Sequence, residues 1–269
     1  MSDLLTILIL GIVEGITEFL PVSSTGHLIL ATRLLGWDAE RWALFNVVIQ
    51  LGAILAIVVL YWRTVWTVIA GLLRGEGGAW RFTRNLVVAS VPIAVVGFAL
   101  HKRIEALLGH PEVVAVALVV GGIAILAIER VAKPGTVKGV ADIPVGTACA
   151  IGVVQCLAMV PGVSRSGATI LGALCLGVER RTAAEFSFFL AIPAMLGASG
   201  LEIVKNRHAL TAGGGVGPLA ILIGSAVAFV VALLVVRWFV ALVGRHGFSP
   251  FGWYRIVIGG AALLWLLGR

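Results

Sequence analysis

Six apolar runs, at about 43–62, 85–100, 113–128, 183–204, 218–236 and 253–267, constrain this 269-residue chain more than any other feature. Each approaches the roughly 20 helical residues that cross about 30 Å of hydrocarbon, and a helix satisfies its own backbone hydrogen bonds there. The expected fold class is therefore an all-α polytopic membrane protein, a single integral membrane domain over residues 1–269. Composition agrees: 60% of residues are apolar and 12% charged, and the mean hydropathy is +1.08, whereas soluble domains carry about a quarter charged residues. The formal charge of +7 would point to nucleic acid in a soluble chain. In a membrane protein it fits cytoplasmic loops and lipid headgroups, so the lipid bilayer is the expected partner and nucleic acid is not.

The first apolar stretch, residues 4–13, has Asp3 in front, lacks a basic segment and runs into Glu14 and Glu18. It is not expected to be a removable signal. Cys149, Cys156 and Cys175 lie in apolar runs without CxxC spacing or histidine neighbours, and are expected to be packing thiols.

Two further apolar regions are interrupted. Residues 4–35 break around 21–27 and residues 143–176 break around 161–169, both at segments rich in Gly, Ser and Pro. Each reads as a re-entrant helix-loop-helix hairpin, and non-helical backbone at membrane depth is tolerated only where it is buried in protein or lines an aqueous cavity. The breaks overlay without a gap at an offset of 141. Seven of 20 positions between Gly11 and Leu30 match those between Gly152 and Leu171, including Ser23 with Ser164 and Gly26 with Gly167. Gly121 and Gly122, after two valines, are echoed by Gly259 and Gly260 after Val-Ile. The chain thus reads as an internal repeat, one half over about 1–130 and the other over about 140–269.

Loop charge predicts the orientation. With the second hairpin inserted after the third span, loops 63–84, 129–142, 177–182 and 237–252 share a side and hold 11 Lys or Arg, against five in 36–42, 101–112 and 205–217. The positive-inside rule makes the first set cytoplasmic. The hairpins then enter from opposite faces, giving inverted topology with both polar breaks near the midplane. Residues 63–84 read as a headgroup-facing loop. His101, His110, His208 and His246 fall in predicted loops.

The breaks carry the chemistry. Glu14 and Glu18, four apart, share a helix face, and ionisable groups within a bilayer are functional by default. They suit either a hard divalent cation shared with phosphate oxygens or a proton-sharing pair. Ser23, Ser24, Thr25, Gly26 and His27 follow Pro21; Ser24 with His27 offers an activated nucleophile, and His27 alone offers a nucleophile or general acid. In the second break, Gly162, Ser164, Arg165, Ser166 and Thr169 combine a guanidinium, hydroxyls and a starting helix, a set suited to phosphate oxygens. Arg165 has no acidic neighbour within ten residues, so its counter-charge comes from Glu14 or Glu18, from a ligand phosphate, or from both. Gln155 sits at the repeat position of Glu14 and is expected at the cavity, while Asn46, Gln50, Glu185, Ser187 and Glu202 are candidates to face the interior.

The segments Glu14-Gly-Ile-Thr-Glu-Phe-Leu-Pro-Val-Ser-Ser-Thr-Gly-His27 and Pro161-Gly-Val-Ser-Arg-Ser-Gly-Ala-Thr169 closely resemble the two signature segments of bacterial undecaprenyl-diphosphatases, the bacitracin-resistance type of lipid-carrier phosphatase. The likeness extends to Val48-Ile-Gln-Leu-Gly52 and Glu185-Phe-Ser-Phe188. It implies hydrolysis of undecaprenyl diphosphate to the monophosphate in the bacterial plasma (inner) membrane, a site opening to the periplasm, a divalent cation (Mg²⁺, or Ca²⁺ as an alternative), and a homodimer. Carried over, Glu14 and Glu18 bind metal or assist proton transfer, Ser24 or His27 attacks phosphorus with His27 leading, and Arg165 with Ser164, Ser166 and Thr169 holds the diphosphate. Asn46 departs from the family, where many relatives have an acidic residue. The alternative is a transporter or flippase of a phosphorylated lipid.

Overall fold

The computed structural model describes residues 3–206 and 216–268. Every element among them beyond short turns and one isolated bridge is helical. The first broken region forms α1 (Asp3–Thr17) and α2 (Ser24–Leu34), and the second forms α8 (Val145–Gln155), a 3₁₀ turn (Cys156–Met159) and α9 (Arg165–Cys175). The remaining helices are α3 (Ala39–Val48), α4 (Gln50–Leu60), α5 (Trp62–Leu73), α6 (Gly77–Leu108), α7 (Pro111–Val131), α10 (Arg180–Lys205), α11 (Pro218–His246) and α12 (Ser249–Leu267).

Among the described residues, six segments are long and apolar enough to cross a membrane: Arg41–Leu60, Gly77–Leu100, Pro111–Val131, Arg180–Lys205, Pro218–His246 and Ser249–Leu267. Each coincides with an expected span, and the outward faces of several carry large apolar side chains such as Phe98, Leu222 and Leu264. A protein with such surfaces is multi-pass in a bilayer. Small residues permit the closest helix approaches, as in membrane packing generally. A Cβ at Gly52 would lie 2.1 Å from the Ser225 carbonyl oxygen, where α4 meets α11, and one at Gly152 would lie 2.4 Å from that of Ala89, where α8 meets α6. The larger core cluster joins Phe186, Phe188 and Phe189 of α10 to Phe239 of α11 and Phe19 of the first break.

Three expected loops are largely helical. Within 63–84, α5 runs on to Leu73 and α6 begins at Gly77, leaving between them a short turn in which Gly75 has φ +72°. The arginines that suggested a loop sit at the helix margins, while Trp62 and Trp66 stack at 5.6 Å on its exposed side. Loop 101–112 is α6 as far as Leu108, and loop 237–252 is α11 as far as His246. His101 is consequently within α6 and His246 ends α11, whereas His110 does lie in the exposed α6–α7 turn; His208 falls outside the described residues. Cys149 and Cys175 face outward and do not pack inside the protein.

Candidate active site

Both breaks form where the backbone leaves the helical region at a serine. Glu18 still continues α1, its N–H donating to the Glu14 carbonyl at 3.0 Å; Pro21 then bars further helix. Ser23 adopts φ 71° and Ser164 φ 78°, the two positive-φ residues other than glycine among the described residues. Each caps the following helix: the Ser23 hydroxyl accepts from Gly26 N–H at 3.3 Å, and the Ser164 hydroxyl from Gly167 N–H at 3.0 Å. Gly162 needs its own left-handed φ of +96°, and a Cβ there would lie 2.6 Å from the Val114 carbonyl. A Cβ at Gly26 would lie 3.3 Å from Gly162 Cα, so the two breaks meet backbone to backbone.

A chain of polar contacts runs across that junction. Ser24 Oγ donates to Glu18 Oε2 in a short hydrogen bond. Glu18 Oε1 accepts from Arg165 Nη2 at 3.1 Å, with the two side chains 4% and 12% exposed. Arg165 Nη1 donates to the Ser187 carbonyl of α10 at 2.8 Å. Ser166 Oγ donates to the Leu20 carbonyl at 2.7 Å, tying the second break to the first, and Thr169 Oγ1 lies 2.7 Å from Ser187 Oγ. Arg165 Nε and both carboxylate oxygens of the fully buried Glu14 have no hydrogen-bond partner among the described residues.

A cavity of about 260 Å³ opens on this chain, lined by Glu18, Ser23, Ser24 and Thr25 from one break and Gly162, Ser164 and Arg165 from the other. Gln50 also reaches it. Glu14, Gly26, His27, Ser166 and Thr169 do not line it. Gln155, expected at the cavity, is buried against α6, its Nε2 3.4 Å from the Ala89 carbonyl. His27 has both ring nitrogens engaged: Nδ1 lies 2.8 Å from the Ser23 carbonyl and Nε2 lies 2.9 Å from the Tyr254 hydroxyl. The first contact requires a proton on Nδ1, which leaves Nε2 to accept from tyrosine in the neutral ring.

The family model described as bacitracin resistance protein BacA matches residues 7–261. The chain belongs to the BacA family. Among similar BacA-type proteins, an undecaprenyl-diphosphatase of Novosphingobium aromaticivorans is 63% identical over 270 residues, covering 100% of both chains. An undecaprenyl-diphosphatase of Sphingopyxis alaskensis is 59% identical over 99% of both. Undecaprenyl-diphosphatase 2 of Paramagnetospirillum magneticum is 48% identical, covering 99% of this chain and all of its own.

Two polar residues of this BacA chain are passed over by sequence reasoning. Arg255 is the lone charge in the run 253–267, itself a signal of function within a membrane, and it is 1% exposed. Asn85 opens the run 85–100 and is fully buried, Nδ2 donating to the Val140 and Ile143 carbonyls at 3.0 and 2.8 Å, which anchors the approach to α8.

Proposed function

We propose that this protein removes the terminal phosphate of undecaprenyl diphosphate, releasing undecaprenyl phosphate and inorganic phosphate and so returning the lipid carrier to peptidoglycan and other envelope polymer synthesis. The observation that carries the reading is the Ser24–Glu18–Arg165 chain at one cavity. It brings a hydroxyl held by a carboxylate together with a guanidinium, the parts that phosphoryl transfer needs for attack and charge stabilisation. Full-length relatives named undecaprenyl-diphosphatase support it.

In this reading Ser24 Oγ attacks the terminal phosphorus as Glu18 takes its proton. The bond from phosphorus to the bridging oxygen breaks, undecaprenyl phosphate leaves, and water then cleaves the phosphoserine. Arg165, anchored through Nη1 and Nη2, binds the transferring oxygens with its remaining N–H groups, beside the N-terminus of α9. Ser24 takes precedence over His27 as nucleophile because it lines the cavity and contacts Glu18, while His27 secures the start of α2 through Ser23. Glu14, whose carboxylate oxygens are unpartnered, and Glu18 one turn on would be the residues to hold a hard divalent cation such as Mg²⁺, or Ca²⁺. Such an ion would supply charge neutralisation of the diphosphate.

The helix pairs α1–α2 and α8–α9 are further proposed to be re-entrant hairpins of an inverted repeat in a single membrane domain. At 15, 11, 11 and 11 residues and about 1.5 Å per residue, none of these helices spans about 30 Å. Ser23 and Ser164, 141 apart, share backbone conformation and capping role. Contacts are reciprocal between halves, α1 packing on α11 and α8 on α6. The site then opens to the periplasmic side of the inner membrane, and the prenyl tail stays in the bilayer.

The test is phosphate release from undecaprenyl diphosphate by purified protein in detergent, with Mg²⁺ and with chelator. The expected result is release that chelator abolishes and that Arg165→Ala reduces by about 10²–10³-fold. Absence of release by the wild type, with lipid moving across proteoliposomes, would establish the transporter alternative instead.

A further inference from the structure

Arg255 lies on α12, outside the cavity lining, yet it touches both breaks. Its five N–H groups reach five backbone carbonyls: Nε to Leu118 at 3.2 Å, Nη1 to Pro21 at 3.0 Å and Val163 at 2.9 Å, Nη2 to Ala117 at 2.9 Å and Gly162 at 2.8 Å. That is the whole donor capacity of a guanidinium, divided between the first break, the second break and α7. No carboxylate among the described residues pairs with it.

Three of the captured carbonyls lie one or two residues before the strained positions. Pro21 is two residues ahead of Ser23, and Gly162 and Val163 directly precede Ser164; both serines hold a left-handed φ that L-residues resist. Such conformations persist only where the surroundings over-determine them. Next in the chain come Ser24 and Arg165. The peptides are trans, so fixing the Val163 carbonyl also turns the Ser164 N–H away from Arg255. The glycine pair singled out in the sequence at 121–122 belongs to this device. A Cβ at Gly121 would stand 2.0 Å from Arg255 Nη2 and 2.6 Å from Cζ, so only glycine lets the guanidinium lie against α7.

We propose that Arg255 is a positioning residue of the phosphatase, holding the two breaks at the spacing that joins Ser24, Glu18 and Arg165. This rests on the proposed reaction. Arg255 touches none of the reacting groups and acts through the carbonyls of Pro21, Gly162 and Val163. Lysine keeps the charge but lacks the planar five-donor fork. Gly121→Ala keeps Arg255 and displaces its head.

The experiment measures phosphate release against undecaprenyl diphosphate concentration for wild type, Arg255→Lys, Gly121→Ala and the double variant, each purified and checked for monodisperse elution. The expected result is a loss of about 10²-fold in kcat for each single variant, the scale of a 1 Å misplacement, with KM within about threefold of wild type. The double variant falls no further than the weaker single, because both changes break one cage. An active wild type alongside variants of unchanged kcat, losses confined to KM, or losses that multiply in the double overturns this inference alone. If Arg255→Lys does not fold, Gly121→Ala carries the test by itself. Failure of both to fold assigns Arg255 a purely structural role and overturns it too. A wild type that releases no phosphate overturns the reaction, and this inference with it.

Discussion

Glu18 is the residue on which the site turns, because its two oxygens serve different partners: Oε1 accepts from Arg165 and Oε2 from Ser24. Glu18→Gln keeps the shape but removes the base and the counter-charge, so kcat for phosphate release should fall by about 10²–10⁴-fold. Retention of the wild-type rate would remove Glu18 from the chemistry. The local residues were legible in the sequence because carboxylates, hydroxyls and an arginine stand out in apolar runs. Their pairing was legible only in part: Glu14 or Glu18 was expected opposite Arg165, 147 residues from Glu18, but spacing alone left the two glutamates equal. Tyr254, whose hydroxyl meets His27 227 residues away, carries no sequence signal of that contact.

At the scale of elements, close helix crossings and caps set stability. Gly52→Ala would drive a methyl against the Ser225 carbonyl, and the unfolding midpoint in detergent should drop, with a cost of about 1–3 kcal/mol. Gly197, inside α10, is the contrasting case, since a methyl group added there would meet nothing within 4 Å: Gly197→Ala should stabilise by about 0.5–1 kcal/mol. Glu179 caps α10, its Oε2 accepting from Thr182 N–H at 3.0 Å and Thr182 Oγ1 at 3.1 Å. Partial burial opposes its ionisation, but the hydrogen bonds from Thr182 and Arg181 outweigh this and hold the carboxyl below its ordinary range. A depressed folded-state value means that the cap stabilises at neutral pH and is lost as pH falls through that value. Glu179→Ala should cost about 0.5–2 kcal/mol at neutral pH, and the deficit against wild type should shrink in acid. The element the sequence mistook, α5, shows why: arginines at helix margins carry the same charge count as arginines in a loop, and Trp62 and Trp66 at helical spacing were the overlooked signal.

Across the whole molecule, six spans were readable from apolar length alone, since the bilayer fixes how long a crossing helix must be. How the halves interlock was not, because packing of α1 on α11 and of α8 on α6 depends on surfaces with nearly uniform apolar character. The proposed topology makes its own prediction. In a cysteine-free background, Ala39→Cys should react with an impermeant maleimide from the periplasmic face, and Glu76→Cys only after the inner membrane is opened; labelling of both from one face would contradict the proposed sidedness of the first half. The central claim, that residues from two distant breaks act as one phosphoryl-transfer unit, is tested most directly by kcat for phosphate release from undecaprenyl diphosphate by Ser24→Ala, Arg165→Ala and the double variant. The account predicts a loss of at least about 10²-fold in each single variant and little further loss in the double. Wild-type kcat in Ser24→Ala, or losses that simply multiply in the double, would contradict it.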